Sequence, residues 1–189
     1  MGVLPFVSKL LLGRQLNFDK GRLSVFGQRV IIVPVELIQL LIQKGLEDEK
    51  FEDMIYDAMK NSVYIFCENL KKNYNMKSKD LENILVNLAE MNGYGELQIT
   101  KIDYEKKIAV YHMRGLPSKS LFGKIKSKKK VADRYWAGML AGGAMSILGD
   151  KNIEAVEIIC DITGKEHCEF VAGSKESIKE YVKKYGTET

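Results

Sequence analysis

Cys160 and Cys168 are the side chains of this sequence whose type and spacing most suggest chemistry. The segment between them contains Thr163-Gly164-Lys165, a suitable turn for a β-hairpin. A turn centred on Gly164 places the two cysteines opposite each other, where Cβ atoms are roughly 4.5–5.5 Å apart. Two thiols at that distance could share a metal ion, or form a disulfide after slight closure.

Strand alternation assigns the hairpin side chains to two faces. The core face carries Val156, Ile158, Cys160, Ile162, Cys168 and Phe170, and the other face carries Glu157, Ile159, Asp161, His167 and Glu169. A regular strand separates Glu157 from the cysteines, so a metal site that they share needs a β-bulge. Glu157, Asp161 and His167 form a rival cluster, of a kind that is common as surface ion pairs. Buried cysteines are also common as small hydrophobic residues, so plain core packing remains an alternative.

A helix rich in small residues is predicted before the hairpin, over about 130–148. Its small residues are Ala137, Gly138, Ala141, Gly142, Gly143 and Ala144. Each interior glycine costs roughly 0.8–1 kcal/mol of helix stability, so we expect close approach by another backbone or by a ligand. Large side chains, Trp136 and Leu140 among them, form a neighbouring stripe. We therefore predict a ligand pocket that includes Trp136, Gly138, Leu140 and Gly142.

His112 and Phe122 are the other two candidate pocket residues. His112 extends a predicted strand on the face of Ile108 and Val110, where it could reach a pocket or make a structural hydrogen bond. Phe122 lies in residues 115–130, where no periodicity is visible and an exposed loop is predicted. This loop could fold over an apolar opening as a lid, or simply attach to the body of the domain.

The remaining sequence predicts the elements that hold these residues in place. Residues 14–33 read as β-structure that ends in a strand over 30–33. Amphipathic helices are predicted from 34 to a stop at Gly45, over 49–74, and from a cap at Ser78 or Asp80 to 92–93. A hairpin follows over 96–111, and a closing helix follows the second hairpin.

The length and composition predict one domain over 1–189 with a substantial core. With 46% hydrophobic and 29% charged residues, the chain does not have the composition of a disordered protein. No apolar run approaches the roughly 20 residues that cross a bilayer. The first residues lack the basic region of a secretory signal. Three cysteines, an odd number, then indicate reduced thiols and a cytoplasmic location.

The net charge of +4 is concentrated in residues 117–134, which carry seven Lys or Arg and one Asp. Such a segment could contact nucleic acid or anionic lipid. The sequence favours a solvated loop, since no aromatic residues alternate with the lysines and no helix-turn-helix is present. It also contains no nucleotide-binding glycine loop, nucleophile elbow or HExxH motif, so neither a nucleotide cofactor nor catalysis is predicted.

The C-terminal part of the sequence resembles the 4-vinyl reductase domain family. The similarity consists of Tyr135-Trp136-Ala137-Gly138, Gly142, Gly149, Val156-Glu157-x-x-Cys160, Gly164 and Cys168-x-Phe170. The chain looks like a stand-alone, archaeal-type member. The resemblance implies an α/β (α+β) fold with an antiparallel sheet and a helical layer, shared with nitric-oxide sensors and Golgi-transport tethering subunits. It also implies a homodimer, with a helical or dimerisation part at about 34–92 and a signature part at about 130–171.

The resemblance further implies a sensor or carrier with an enclosed apolar pocket for a hydrophobic ligand, aromatic ligands included. Phenol-sensing members hold zinc with three cysteines and a glutamate, and Glu157, Cys160 and Cys168 match three of these positions. The remaining cysteine, which the resemblance places upstream near the small-residue helix, is absent, so His167, Asp161 or water could replace it, or the site could hold no metal. Two other functions stay open: a reductase of tetrapyrrole metabolism, and a dimeric assembly protein like the tethering subunits.

Overall fold

The computed structural model describes residues 3–118, 133–161 and 165–185. These residues contain six helices and two antiparallel sheets. The helices are α1 (Val3–Leu12), α2 (Val35–Glu47), α3 (Glu49–Tyr74), α4 (Ser78–Met91), α5 (Arg134–Leu148) and α6 (Lys175–Tyr185). The strands are β1 (Leu16–Asp19), β2 (Arg22–Val25), β3 (Gln28–Val30), β4 (Glu96–Asp103), β5 (Ile108–Arg114), β6 (Glu154–Ile159) and β7 (Cys168–Gly173). The predicted α+β class, with antiparallel sheets and a helical layer, is confirmed.

The larger sheet has the strand order β4-β5-β7-β6, with every neighbouring pair antiparallel. Its inner face packs on α5 through residues such as Ala155, Phe170 and Ala172, which belong to the main core. On its outer face a small second core forms under α6, where Ile178 meets Val110 and other aliphatic side chains. The sheet therefore separates α5 from α6.

Helix α5 is buried along almost its whole length because α3 and the sheet cover it. The close packing depends on glycine: a Cβ on Gly138 would collide with the carbonyl oxygen of Tyr56, and a Cβ on Gly142 with that of Lys60. The helix ends at Gly149, whose φ of 66° is the left-handed conformation that glycine tolerates best. The small residues thus serve contact between two helix backbones.

Side-chain caps define where the long helices begin. The carboxylate of Asp48 accepts hydrogen bonds from the backbone N–H groups of Lys50 and Phe51 at the start of α3. At the start of α4, Asp80 accepts from the N–H of Lys77. These bonds satisfy backbone donors that have no partner within the helix.

Two predicted boundaries are wrong. The strand predicted over 30–33 ends at Val30, which pairs with Leu23; Ile31 and Ile32 have no strand partner and are 77% and 84% exposed. The helix predicted to stop at Gly45 continues to Glu47. Gly45 is buried against Glu52 of α3, so its small size serves packing between α2 and α3.

The predicted lid around Phe122, the lysine run and the Gly164 turn lie outside the described residues. Within the described ranges, no helix is both long enough and apolar enough to cross a lipid bilayer.

Candidate ligand cavity and metal cluster

A cavity of about 850 Å³ lies between α2–α5, the small sheet and the inner face of the large sheet. Most of its lining is apolar, and it includes Phe66, Leu85, Met113 and Ile147. A volume of this size lies within the usual range of small-molecule sites. The large, mostly apolar side chains that line it come from elements far apart in the sequence.

Two residues that line the cavity each carry a buried polar group that has no hydrogen-bond partner in the described part of the chain. These groups are the hydroxyl of Tyr111 on β5 and the indole N–H of Trp136 on α5. Burial raises the pKa of Tyr111, so its hydroxyl keeps its proton and can donate. The rings of Tyr94 and Tyr135 pack edge-to-face on Trp136, with centroids 4.9 and 4.8 Å away, and fix its position.

Only some of the predicted pocket residues line the cavity. Trp136 and Leu140 line the cavity, as does Gly143 of the same helix stripe. Gly138 and Gly142 do not line it, because they face the backbone of α3 on the opposite side of α5.

His112 is likewise not a cavity residue. Side chains alternate along β5, so Tyr111 and Met113 point into the cavity whereas His112 points to the outer face. There its Nε2 lies 3.0 Å from Oε2 of Glu169. Tyr111 is one of the cavity residues that sequence analysis missed. The same alternation, followed on the face opposite His112, would have indicated it.

A second site lies where α5 begins beside the hairpin. Four side chains there, those of Asp133, Glu157, Cys160 and Cys168, each offer one ligand atom, and these atoms lie within 4.8 Å of one another. Glu157 is half-buried and the other three are buried. The hairpin register therefore brings the two cysteines together, and the start of α5 adds a carboxylate.

A β-bulge gives Glu157 access to this cluster. Glu157 pairs with Phe170, but Ile159 pairs with Glu169, so one extra residue, Ile158, is inserted between them. Ile158 and Ile159 consequently both pack toward the outer core, and Glu157 and Cys160 share the inner face. The regular alternation predicted for this strand, with Ile158 on the cysteine face, is wrong for this reason.

Asp133 is the residue of this cluster that sequence analysis did not identify. Its Oδ2 accepts a hydrogen bond of 2.9 Å from the hydroxyl of Ser118, and its backbone N–H donates to Oε2 of Glu157 at 3.1 Å. Oδ1 is buried and has no partner in the described residues. The position carried a signal: it immediately precedes the small-residue helix, where the resemblance expects the missing cysteine.

Burial opposes negative charge in this cluster. It raises the pKa of Asp133 well above its usual value, and the neighbouring charge of Glu157 raises it further. A hydrogen bond with Cys160, together with burial, raises the pKa of the Cys168 thiol. Such protonated groups become ligands when a divalent cation displaces their protons. The four donors, two thiols and two carboxylates, are types that zinc accepts.

His167 does not join the cysteines, and the rival cluster of Glu157, Asp161 and His167 does not form. The ring of His167 lies on the outer face instead, with its centroid 4.2 Å from that of His112. Burial, followed by the proximity of His112, lowers the pKa of His167.

Comparison with solved structures identifies the fold. The phenol-responsive sensory domain of the transcription activator PoxR, solved with phenol, aligns with a TM-score of 0.71 at 16% identity, over 96% of this chain and 98% of that one. This chain shares its fold. No protein-family model and no curated protein sequence matches the chain.

Two further solved structures are similar at lower scores. A trafficking protein particle complex subunit 3 from Naegleria fowleri, covalently bound to palmitic acid, has a TM-score of 0.48 at 12% identity, over 75% of this chain and 95% of that one. A vinyl-4-reductase family protein from Methanocaldococcus jannaschii has a TM-score of 0.47 at 16% identity, over 76% of this chain and 82% of that one.

Proposed function

We propose that this protein is a small-molecule-binding sensor or carrier whose cavity takes a hydrophobic, preferably aromatic, ligand that carries an oxygen acceptor. The observation that supports it is the apolar cavity with two unpartnered donors, the hydroxyl of Tyr111 and the indole N–H of Trp136. A buried donor without a partner costs about 1–3 kcal/mol. A ligand oxygen that accepts from either group recovers part of that energy. The phenol bound to the PoxR domain is a ligand of this chemistry.

The ligand proposal is tested by matched pairs of apolar compounds. Thermal unfolding is followed with phenol and toluene, and with larger aromatic alcohols beside their hydrocarbon analogues. We expect the oxygenated member of each pair to raise Tm more. Trp136→Phe and Tyr111→Phe should reduce this difference, whereas Tyr64→Phe, whose ring lies outside the cavity lining, should keep it. If no compound raises Tm, the proposal fails.

We also propose a zinc ion at Asp133, Glu157, Cys160 and Cys168, with a structural role beside the cavity. The two buried thiols, which form no disulfide, and the unpartnered Oδ1 of Asp133 support it. Here Asp133 stands in for a third thiol, so the site has two sulfur and two oxygen donors. Reduced thiols at such a site also fit a cytoplasmic location.

Metal analysis and cobalt substitution test the zinc site. We expect one zinc per chain, and thiolate-to-cobalt absorption bands after exchange with Co²⁺. Cys168→Ser and Asp133→Asn should weaken metal retention, and Cys67→Ala, at a buried cysteine of α3, should not. A protein that stays metal-free after growth in zinc, and gives no such bands with Co²⁺, would contradict the site.

A homodimer is proposed from the apolar mouth of the cavity. Phe18, Ile31, Ile32 and Val35 all line the cavity, yet they are 43–84% exposed. Exposed apolar groups of this kind commonly mark an interface. A second copy packed on this mouth would cover these side chains and close the cavity.

Light scattering tests the dimer. We expect a dimer for the wild type and a monomer for Ile32→Glu. Ile65→Glu, at a position of α3 that is 59% exposed and outside the cavity lining, is the matched control and should stay dimeric. A monomeric wild type at micromolar concentration would contradict the proposal.

A further inference from the structure

The outer face of the large sheet brings together the only two histidines of the chain. His112 lies on β5, and His167 immediately precedes β7. Glu169 stands directly opposite His112 in the β5–β7 register, with Oε2 of Glu169 3.0 Å from Nε2 of His112. One ligand atom from each of the three side chains lies within 4.8 Å of the other two. We call these three residues the outer triad.

The contacts of the outer triad leave one buried ring nitrogen without a partner among the described residues. Nδ1 of His167 is buried and has no hydrogen-bond partner in the described part of the chain. The hydroxyl of Tyr181, on α6, donates to Oε1 of Glu169 at 3.3 Å and so holds the carboxylate while Oε2 faces His112. A surface ion pair between His112 and Glu169 would account for those two residues alone. It gives no role to the unpartnered nitrogen of His167.

We propose that the outer triad binds a divalent transition-metal ion such as Zn²⁺, Ni²⁺ or Co²⁺. Two imidazoles and one carboxylate are a donor set that such ions favour. An ion held by both histidines would provide the missing partner of His167 and would be oriented further by Tyr181. The side chains of His112 and Glu169 are 28% and 13% exposed, so water can complete the coordination.

The outer triad is distinct from the cysteine cluster, although the two are adjacent in sequence. Side-chain directions alternate through residues 167, 168 and 169 at the start of β7, so Cys168 faces the inner core while its two neighbours face outward. The chain would therefore hold one sulfur-containing site and one nitrogen–oxygen site on opposite faces of β7.

A zinc titration of tag-free protein, followed by the NMR signals of the two imidazoles, tests this proposal. We expect both imidazoles to shift together with one equivalent of Zn²⁺. If the cysteine cluster also binds zinc, its thiolates should fill first, and the imidazoles should shift with the second equivalent. If the cysteine cluster binds no zinc, the imidazole signals should shift with the first equivalent of Zn²⁺. The two proposals can therefore fail independently.

Variants then test each ligand. Glu169→Gln and His167→Gln should weaken zinc binding at the imidazoles at least about tenfold, and Tyr181→Phe by up to about tenfold. Glu96→Gln, a carboxylate of β4 outside the triad, should leave it unchanged. Imidazoles that do not shift with a tenfold excess of zinc, a shift confined to one histidine, or Glu96→Gln weakening binding as much as Glu169→Gln would each overturn the proposal.

Discussion

On one side of α5, Gly138 and Gly142 allow the backbone of α3 to approach so closely that no Cβ would fit. On the opposite side, Trp136, Leu140 and Gly143 face a cavity of about 850 Å³. One helix thus has a tightly packed side and a side that borders open space. The difference shows that a glycine in a helix indicates close approach, but not what approaches. Only the position around the helix distinguishes the two glycine roles.

The largest expected effect comes from filling the packed side. Gly142→Ala should lower the free energy of unfolding by about 3 kcal/mol or more, because the new Cβ meets the carbonyl oxygen of Lys60, a backbone atom that cannot rotate away. The gain in helix propensity, about 1 kcal/mol, is too small to compensate. Chemical denaturation measures the change. A loss below about 1 kcal/mol would mean that α3 and α5 separate easily.

The neighbouring glycine on the cavity side should behave differently. Gly143→Ala places its Cβ 3.0 Å from Cδ1 of Leu85, the mobile end of a side chain that borders the cavity. We expect stability to change by no more than about 1 kcal/mol, since the gain in helix propensity offsets the contact. Calorimetry should show weaker binding of the largest ligand that the wild type accepts. A destabilisation equal to that of Gly142→Ala would remove the distinction between the two sides.

The smallest expected effect concerns the side chains that extend the packed side. The backbone carbonyls of Tyr56 and Lys60 face the glycines. The hydroxyl of Tyr56 and Nζ of Lys60 also donate hydrogen bonds to the carboxylate of Glu154, at 2.6 and 2.7 Å. Burial acts to raise the pKa of Glu154, but these two hydrogen bonds and the positive charges of Lys60 and Lys175 together outweigh it, and the pKa is lowered. Its stabilising contribution is therefore present at neutral pH and is lost as the pH falls through the pKa of the folded state.

Glu154→Gln should accordingly lower the free energy of unfolding at pH 7, by less than about 1 kcal/mol because the pair is partly exposed. The difference from the wild type should be smaller at pH 3 than at pH 7, because the stabilisation is lost as the carboxylate is protonated. Denaturation curves at both pH values measure it, and Glu105→Gln, on the exposed β4–β5 turn, is the control. An equal loss at both pH values would mean that charge plays no part in this contact.

Local patterns predicted most of the secondary structure. Helix α3 has its predicted bounds, and the hairpin of β4 and β5 lies close to where alternation placed it. These elements depend on periodicity and caps that lie within a few residues. The errors at Val30 and Gly45 arose where a neighbouring element determines the boundary. The strand ends at Val30 because the residues after it have no partner strand, and the helix continues past Gly45 because this glycine packs against α3.

The sequence by itself determined which residues could do chemistry, namely two cysteines with a glutamate nearby and two histidines. It also determined that one helix contains several glycines. Tertiary structure alone decided their partners. One bulged residue, Ile158, turned Glu157 toward the cysteines; the start of α5 supplied Asp133; and strand pairing joined His112 to His167. The physical reason is that side-chain direction in a sheet depends on register, and register depends on strands that are distant in the sequence.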